Sequence, residues 1–215
     1  TIMLDPAESK LGGVETFADA RKCAALFAKH RDEIDGVLVL LPNFGDEKGV
    51  AESLKGAALG VPVLIQGYPD DLNQLGVARR RDAYCGKISV CNNLVQAGIP
   101  FSLTRRHVCR LDSDAFRADL RKFLGVCRVV NGLRGVRLGA VGARPGAFNT
   151  VRYSEKLLER HGISVTTVDL SEIIGAAEKL AATDPAVTAK LAEINGYAPA
   201  PGVPAIPKLH SVNDP

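Results

Sequence analysis

The hydrophobic and polar positions of this chain form short apolar runs that alternate with helical patterns. Short continuous apolar runs are typical of strands that a parallel sheet buries on both faces. Such runs lie at 36–41 and 61–65, a short strand or edge is predicted at 100–103, and further strands are predicted at 136–141 and 165–168. Between these runs, apolar residues recur at the spacing of a helix, and one such series, over 14–31, contains Phe17, Ala20, Ala24 and Phe27.

This alternation predicts the α/β class, with a parallel sheet and helices on both of its faces. Gly132-Leu133-Arg134-Gly135 interrupts the pattern and predicts a division of the chain. We expect 1–132 to be a parallel three-layer Rossmann-like domain. We expect 133–197, which is too short for a complete doubly wound domain, to be the first part of a second α/β domain. The proline-rich residues 198–215 are expected to be a linker or tail.

The composition is that of an ordinary globular protein and excludes several other classes. The 215 residues are 46% hydrophobic and 24% charged, which excludes a wholly disordered chain, collagen and a coiled coil. No apolar stretch approaches the roughly 18 uncharged residues that a membrane helix needs, so no membrane partner is expected. A net charge of +3, an aromatic content of 5% and the absence of tryptophan argue against nucleic acid as a partner.

The five cysteines favour reduced thiols and therefore a cytoplasmic location. Their number is odd, no CxxC pair occurs, and Cys23, Cys91 and Cys127 fall within helical apolar patterns. The residues after Thr1 lack the charged and apolar regions of a secretory signal. Cys85 is predicted at the start of a helix, but no histidine lies near it in sequence to act as its base, so a structural role is favoured.

The loops that follow the predicted strands contain the residues best suited to ligand binding. In an open parallel sheet, ligands bind at the carboxyl ends of the strands. The loops there supply amides, acids and aromatic rings, which suit a polyhydroxylated ligand: Pro42 to Glu47, Gln66 to Asp71 with Asn73 and Gln74, Asp82 to Lys87, and Gly142 to Asn149. The same residue types are common in turns and caps, and that structural interpretation is favoured for each of them taken singly.

Two basic clusters fall in loops that are expected at the same edge. Arg79-Arg80-Arg81 precedes one predicted helix, and Arg105-Arg106-His107 with Arg110 follows the strand at 100–103. Arginine binds oxyanions with two hydrogen bonds, so these residues can hold a carboxylate, phosphate or sulfonate. A solvated loop or a subunit contact is the favoured alternative, because charge runs are mostly solvated.

Signatures of other sites are weak or missing in the sequence. Gly139, Gly142 and Gly146 do not have the G-x-G-x-x-G spacing of a dinucleotide site, and Arg144-Pro145 occupies the turn. No Walker A motif and no nucleophile elbow occur. The histidines are far apart in sequence, so no metal site is predicted. No catalytic residue is predicted within the chain.

Three motifs of the chain resemble the L-fucose isomerase/L-arabinose isomerase superfamily, in particular its bacterial fucose isomerase-like branch. The first runs from Ile34 to Glu47, the second from Asp82 to Leu94, and the third from Val141 to Tyr153, followed by Leu158 to Ile163. The resemblance extends from about 14 to 204, with the motifs in the family's order. None of the motifs is diagnostic alone, and the three together are specific.

The resemblance implies an aldose–ketose isomerase, in which a proton moves between C1 and C2 of a sugar through an enediol. It implies two Rossmann-like N-terminal domains, a C-terminal domain and a divalent metal, usually manganese, bound by a part of the protein that is absent here. It also implies a homo-oligomer, a trimer or hexamer, in which the first domain of one subunit lends residues to a neighbour's site. The chain alone is expected to be inactive.

The positions that match the family's motifs are expected to bind the substrate in a site that is shared with a neighbouring subunit. They are Asn43, Phe44, Gln66, Arg80, Asp82 and Lys87. Asn43 and Phe44 match a family segment that lines the shared site, and Gln66 matches a glutamine of the arabinose isomerase pattern. Asp82 begins the family's loop-to-helix turn. Arg80 falls roughly where arabinose isomerases have a histidine, which argues against a simple pentose as the substrate.

The leading hypothesis is the N-terminal substrate-binding and assembly portion of a metal-dependent sugar isomerase. The alternative is a non-enzymatic sugar-binding α/β module of the periplasmic type, against which the thiols and the missing signal count. A dehydrogenase fragment is disfavoured by the glycine spacing. An isomerase portion needs the rest of its sequence in the same reading frame, whereas a binding module binds free sugar as this polypeptide alone.

Overall fold

The computed structural model describes residues 1–197, and within them the chain forms two compact units. The first unit contains Thr1–Val136 and His161–Ile163, and the second contains, among the described residues, Arg137–Arg160 and 164–197. The sequence analysis places the division after residue 132, whereas the first unit continues to Val136. The predicted linker at 198–215 lies outside the described residues.

The first unit is built on a parallel sheet with the strand order β1-β2-β3. Its strands are β1 (Val37–Leu41), β2 (Val63–Gly67) and β3 (Ser102–Leu103). Its helices are α1 (Phe17–Lys29), α2 (Glu47–Ala57), α3 (Ala83–Gln96) and α4 (Asp114–Leu133). The predicted strand at 61–65 is shifted to β2, because Pro62 has no N–H to donate and only its carbonyl oxygen joins the ladder, accepting from Val37.

Successive residues of a strand point to opposite faces of the sheet. Helices cover both of these faces. On one face, Ile65 packs in a core cluster with Val90 and Leu94 of α3. On the other face, Leu64 packs against Phe123 of α4. The predicted α/β class with parallel strands is therefore confirmed.

Side-chain caps explain where most helices of the first unit begin. Thr16 and Asp19 form a capping box at the start of α1. Asp46 accepts hydrogen bonds from two backbone N–H groups at the start of α2, and Ser113 accepts one at the start of α4. The exception is α3, whose N-cap residue Asp82 makes no such bond.

The second unit contains a two-stranded parallel sheet of β4 (Arg137–Val141) and β5 (Ser164–Val168). Its helices are α5 (Glu155–Glu159), α6 (Leu170–Glu178) and α7 (Pro185–Tyr197). The Ser154 hydroxyl accepts a hydrogen bond from the Leu157 N–H and so starts α5, and Asn149–Val151 before it form a separate 3-10 helix.

Burial distinguishes the second unit from the first. None of its described residues is buried. The prediction that 136–141 and 165–168 are buried on both faces is therefore wrong for the described structure, because a two-stranded sheet with three helices cannot enclose its strands.

In the described part of the chain, no helix is both long enough and apolar enough to cross a membrane.

Candidate functional site

The carboxyl ends of the three parallel strands in the first unit lie at one edge of the sheet, at Leu41, Gly67 and Leu103. The loops that follow them are 42–46, 68–82 and 104–113, and we refer to these three loops together as the rim. The carboxyl edge of an open parallel sheet is the usual place for a ligand. The rim therefore defines the candidate site, and the predicted residues Gln66 and Lys87 lie directly beside it.

The first rim loop is held against α3 through the backbone of Phe44. The Phe44 N–H donates to the carbonyl oxygen of Arg81 at 2.8 Å. A Cβ atom at Gly86 would collide with the Phe44 backbone, so only glycine allows the loop to approach the helix this closely. Asn43 and Phe44 are both exposed, Phe44 by 45%. The loop thus provides an amide and an aromatic ring to a ligand.

In the second loop, the ring of Tyr68 lies beside two guanidinium groups. The Cζ atom of Arg81 is 4.9 Å from the ring centre, and that of Arg110 is 5.8 Å from it. Both distances are within the range of a cation–π interaction. Asp70 Oδ1 accepts hydrogen bonds from the backbone N–H groups of Arg81 at 2.5 Å and Asp82 at 3.2 Å, which fixes the end of the loop.

The predicted site residues Arg80 and Asp82 form an ion pair. Arg80 Nε lies 2.6 Å from Asp82 Oδ2. Asp82 has a φ of 53°, a left-handed conformation that aspartate tolerates better than most residues. The turn into α3 therefore brings these two side chains together, and the charge of Arg80 is balanced by its neighbour.

The predicted site residue Gln66 is buried at the end of β2 and is only 1% exposed. Its Nε2 donates to the carbonyl oxygens of Gly67 at 2.8 Å and Cys109 at 2.6 Å. The second of these bonds joins β2 to the third rim loop. Gln66 therefore has a structural role, which is to hold the third rim loop against β2. Its contact with a substrate stays a prediction.

Lys87 is buried as well, with 3% of its surface exposed. Its Nζ donates to Thr104 Oγ1 at 2.8 Å and to the His107 carbonyl oxygen at 2.9 Å. Burial lowers the pKa of Lys87, because the ammonium loses hydration, and the nearby Cys91 and other acidic groups oppose this only in part. Lys87 thus fastens the third loop to α3, and its contact with a substrate also stays a prediction.

The third rim loop contains an ion pair and an aromatic contact. Arg110 donates from Nε to Asp112 Oδ1 at 3.0 Å and from Nη2 to Oδ2 at 2.9 Å. The Asp112 carboxylate raises the pKa of Arg110, and the guanidinium lowers the pKa of Asp112. The rings of His107 and Tyr84 meet edge to face, with their centres 5.3 Å apart. The geometry of Arg110 and Asp112 is the two-bond form in which arginine holds an oxyanion.

Two other segments that the sequence singled out have contacts of their own. In the second unit, Arg144 Nη1 donates to the carbonyl oxygens of Pro145, Gly146 and Phe148, so the loop after β4 closes on its own guanidinium. Cys85 is exposed at the start of α3, and all five cysteines are free thiols.

The described residues do not offer a set of metal ligands. Within residues 1–197, no three side chains of His, Cys, Asp or Glu come together in a way that could hold a metal ion. The divalent metal that the resemblance implies therefore does not fit the residues described here.

The sequence analysis did not select three residues that shape the rim. Tyr68 and Asp70 were part of a loop it named, but nothing in the pattern distinguished them from ordinary turn residues. Thr104 Oγ1 accepts from Lys87 and donates to the Arg106 carbonyl oxygen at 2.9 Å. A threonine that follows a two-residue strand gives no sequence signal of this kind.

The fold and the rim define a parallel α/β domain with a polar and aromatic ligand edge. A family model described as the N-terminal domain of fucose/sulfoquinovose isomerase matches residues 1–134, more than half of the chain. The chain therefore belongs to this sugar isomerase family, which confirms the resemblance seen in the motifs. The match ends close to Val136, where the main part of the first unit ends. A comparison with curated proteins found no match.

Proposed function

We propose that this chain is the N-terminal substrate-binding and assembly portion of a metal-dependent aldose–ketose isomerase. The observation that supports this most strongly is the family match over residues 1–134, because those residues contain the whole rim.

In this proposal, the exposed side chains of the rim bind and orient the sugar. The Asn43 amide can both donate to and accept from sugar hydroxyl groups. The exposed ring of Phe44 offers an apolar surface to the carbon face of the sugar. Holding C1 and C2 in a fixed position lowers the entropic cost of moving a proton between them through an enediol.

The buried residues of the site have a supporting role in the same proposal. Gln66 and Lys87 join β2 and α3 to the third rim loop, so they keep the exposed side chains at fixed positions. We further propose that the metal, manganese in such enzymes, is held by carboxylates and histidine outside the described residues. The rim then completes the site of a neighbouring subunit in a cytoplasmic trimer or hexamer.

The test compares residues 1–215 with the full product of the reading frame that encodes them. Both are supplied with manganese and incubated with L-fucose and with sulfoquinovose, and ketose formation is followed by NMR. We expect turnover by the full product and none by residues 1–215 alone. Turnover by a homogeneous sample of 1–215 would contradict the proposal that these residues bind the sugar and that other residues catalyse the reaction. Binding of sugar by the full product without any turnover would instead support a sugar-binding module.

A further inference from the structure

The arginines of the rim differ in whether a carboxylate balances their positive charge. Arg80 is paired with Asp82, and Arg110 is paired with Asp112. Among the described residues, no carboxylate lies within ion-pair distance of the Arg81 guanidinium. The positive charge of Arg81 therefore has no counter-ion in the part of the chain that the structure describes.

Arg81 is nevertheless held in place more firmly than a solvated loop arginine. Its backbone N–H donates to Asp70, and its carbonyl oxygen accepts from the Phe44 N–H. Its guanidinium lies over the Tyr68 ring, and Nη1 is 3.5 Å from the carbonyl oxygen of Pro42. A guanidinium that is already oriented loses less conformational entropy when it binds an oxyanion.

The surroundings of Arg81 favour an anion further. Arg110 approaches the same Tyr68 ring, so two guanidinium groups share one aromatic platform. Because Asp112 balances the charge of Arg110, Arg81 is the guanidinium on this platform that can serve an incoming anion. Asn43 and Phe44 are the exposed residues suited to the uncharged part of a sugar. The backbone N–H of Phe44 joins their loop to Arg81 by a hydrogen bond to the Arg81 carbonyl oxygen.

We propose that Arg81, oriented by Tyr68, is the residue that selects a sugar bearing a tetrahedral oxyanion over a neutral one. The inference rests on the proposed function and deepens it, because the family's description covers one neutral substrate, fucose, and one sulfonated substrate, sulfoquinovose. The unbalanced, oriented guanidinium favours the sulfonated sugar for this chain. Arg80 is a weaker candidate, because Asp82 already occupies its guanidinium.

The test measures binding by the full product of the reading frame, using sulfoquinovose and 6-deoxyglucose, two sugars that differ only in the sulfonate. Calorimetric titrations are carried out on the wild-type protein, on Arg81→Gln and on Arg128→Gln. Arg128 is an exposed arginine of α4 outside the rim, so its replacement removes the same charge elsewhere on the surface. Turnover of both sugars is measured in parallel.

We expect the wild-type protein to bind sulfoquinovose more tightly than 6-deoxyglucose. Arg81→Gln should weaken sulfoquinovose binding about tenfold or more and leave 6-deoxyglucose binding unchanged, as expected for a charge-assisted bond. Arg128→Gln should change neither. Equal binding of the two sugars, binding of neither, or an equal effect of Arg81→Gln on both would overturn the proposal.

The same experiment separates this inference from the proposed function. Selective, Arg81-dependent binding without turnover would support the oxyanion site and contradict the isomerase. Turnover of both sugars with equal efficiency would support the isomerase and contradict the role of Arg81. A change of oligomer size in Arg81→Gln with unchanged sugar selectivity would make Arg81 an assembly residue and would also overturn the inference.

Discussion

The amine of Lys87 and the hydroxyl of Thr104 are 17 residues apart in sequence and lie 2.8 Å apart in the interior of the first unit. The same amine donates to the carbonyl oxygen of His107. Because α3 and the third rim loop meet at this amine, Lys87 is one of the buried groups that hold the loop, together with Gln66. Lys87 is therefore the residue at which the stability of the fold and the shape of the rim can be tested together.

Replacing Lys87 with methionine should loosen the third rim loop. Methionine keeps most of the side-chain volume but cannot donate to Thr104 or to the His107 carbonyl oxygen. We expect faster hydrogen–deuterium exchange over 104–110 in Lys87→Met. Lys48→Met, at an exposed position of α2, is the matched control and should leave that segment unchanged. Unchanged protection of 104–110 in both variants would show that Lys87 does not hold the loop.

The stability contributed by Lys87 should depend on pH in the alkaline range. Burial lowers the pKa of Lys87 below its ordinary value of 10.5, so the unfolded chain binds more protons than the folded chain between the two pKa values. Stability increases with pH wherever the unfolded state binds more protons. The folded wild-type protein should therefore gain stability relative to Lys87→Met as the pH rises through the folded pKa toward 10.5.

Urea unfolding of both proteins at a series of alkaline pH values measures this difference. Burial raises the pKa values of the Cys91 and Cys109 thiols and the Lys87 charge lowers them, so the measured difference contains the amine together with its coupling to these two thiols. A difference in unfolding free energy that stays constant from neutral pH to pH 10.5 would contradict the lowered pKa of Lys87.

Alanine at Gly86 should destabilise the first unit. Its Cβ would meet the backbone of Phe44, which cannot move without breaking the bond to Arg81, and overpacking of this kind costs about 1–3 kcal/mol. Gly125→Ala in α4 is the matched control, because nothing lies within 4 Å of its added Cβ. We expect that control to stabilise the protein by about 0.5–1 kcal/mol. Equal effects of the two substitutions in chemical denaturation would argue against the close approach of the Phe44 loop.

Replacing Gln66 with leucine should reduce stability by about 1–3 kcal/mol, because the carbonyl oxygens of Gly67 and Cys109 would lose a buried donor. Gln74→Leu, at an exposed position of the second rim loop, should stay within about 0.5 kcal/mol of the wild type. Thermal and urea unfolding measure both. A stable Gln66→Leu protein that has lost sugar affinity would instead make Gln66 a substrate-binding residue.

Much of the fold could be predicted from the apolar runs, because the strands of a parallel sheet covered on both faces are mostly apolar. The run at 36–41 became β1, whereas β2 starts late because Pro62 interrupts the hydrogen bonding. The burial of β4 and β5 was predicted wrongly, and their sequences are only partly apolar, with Arg137 in β4 and Ser164, Thr166 and Thr167 in β5.

The candidate site was less predictable, because its contacts join loops that are distant in sequence. The positions of the loops in the sequence could be predicted from the order of the strands. The pairing of Arg80 with Asp82 depends on the left-handed turn at Asp82, which the local pattern does not reveal. The burial of Lys87 was hidden, because lysine is most often exposed and its partner Thr104 gives no signal of its own.

The most direct test of the isomerase assignment is whether the sugar exchanges its C2 proton with solvent. The manganese-loaded full product of the reading frame is incubated in deuterium oxide with sulfoquinovose and, separately, with L-fucose, and the C2 proton signal is followed by NMR. An enediol pathway predicts that ketose appears and that deuterium enters at C2 of the remaining aldose. Binding of a sugar with a persistent C2 proton signal and no ketose would contradict the assignment.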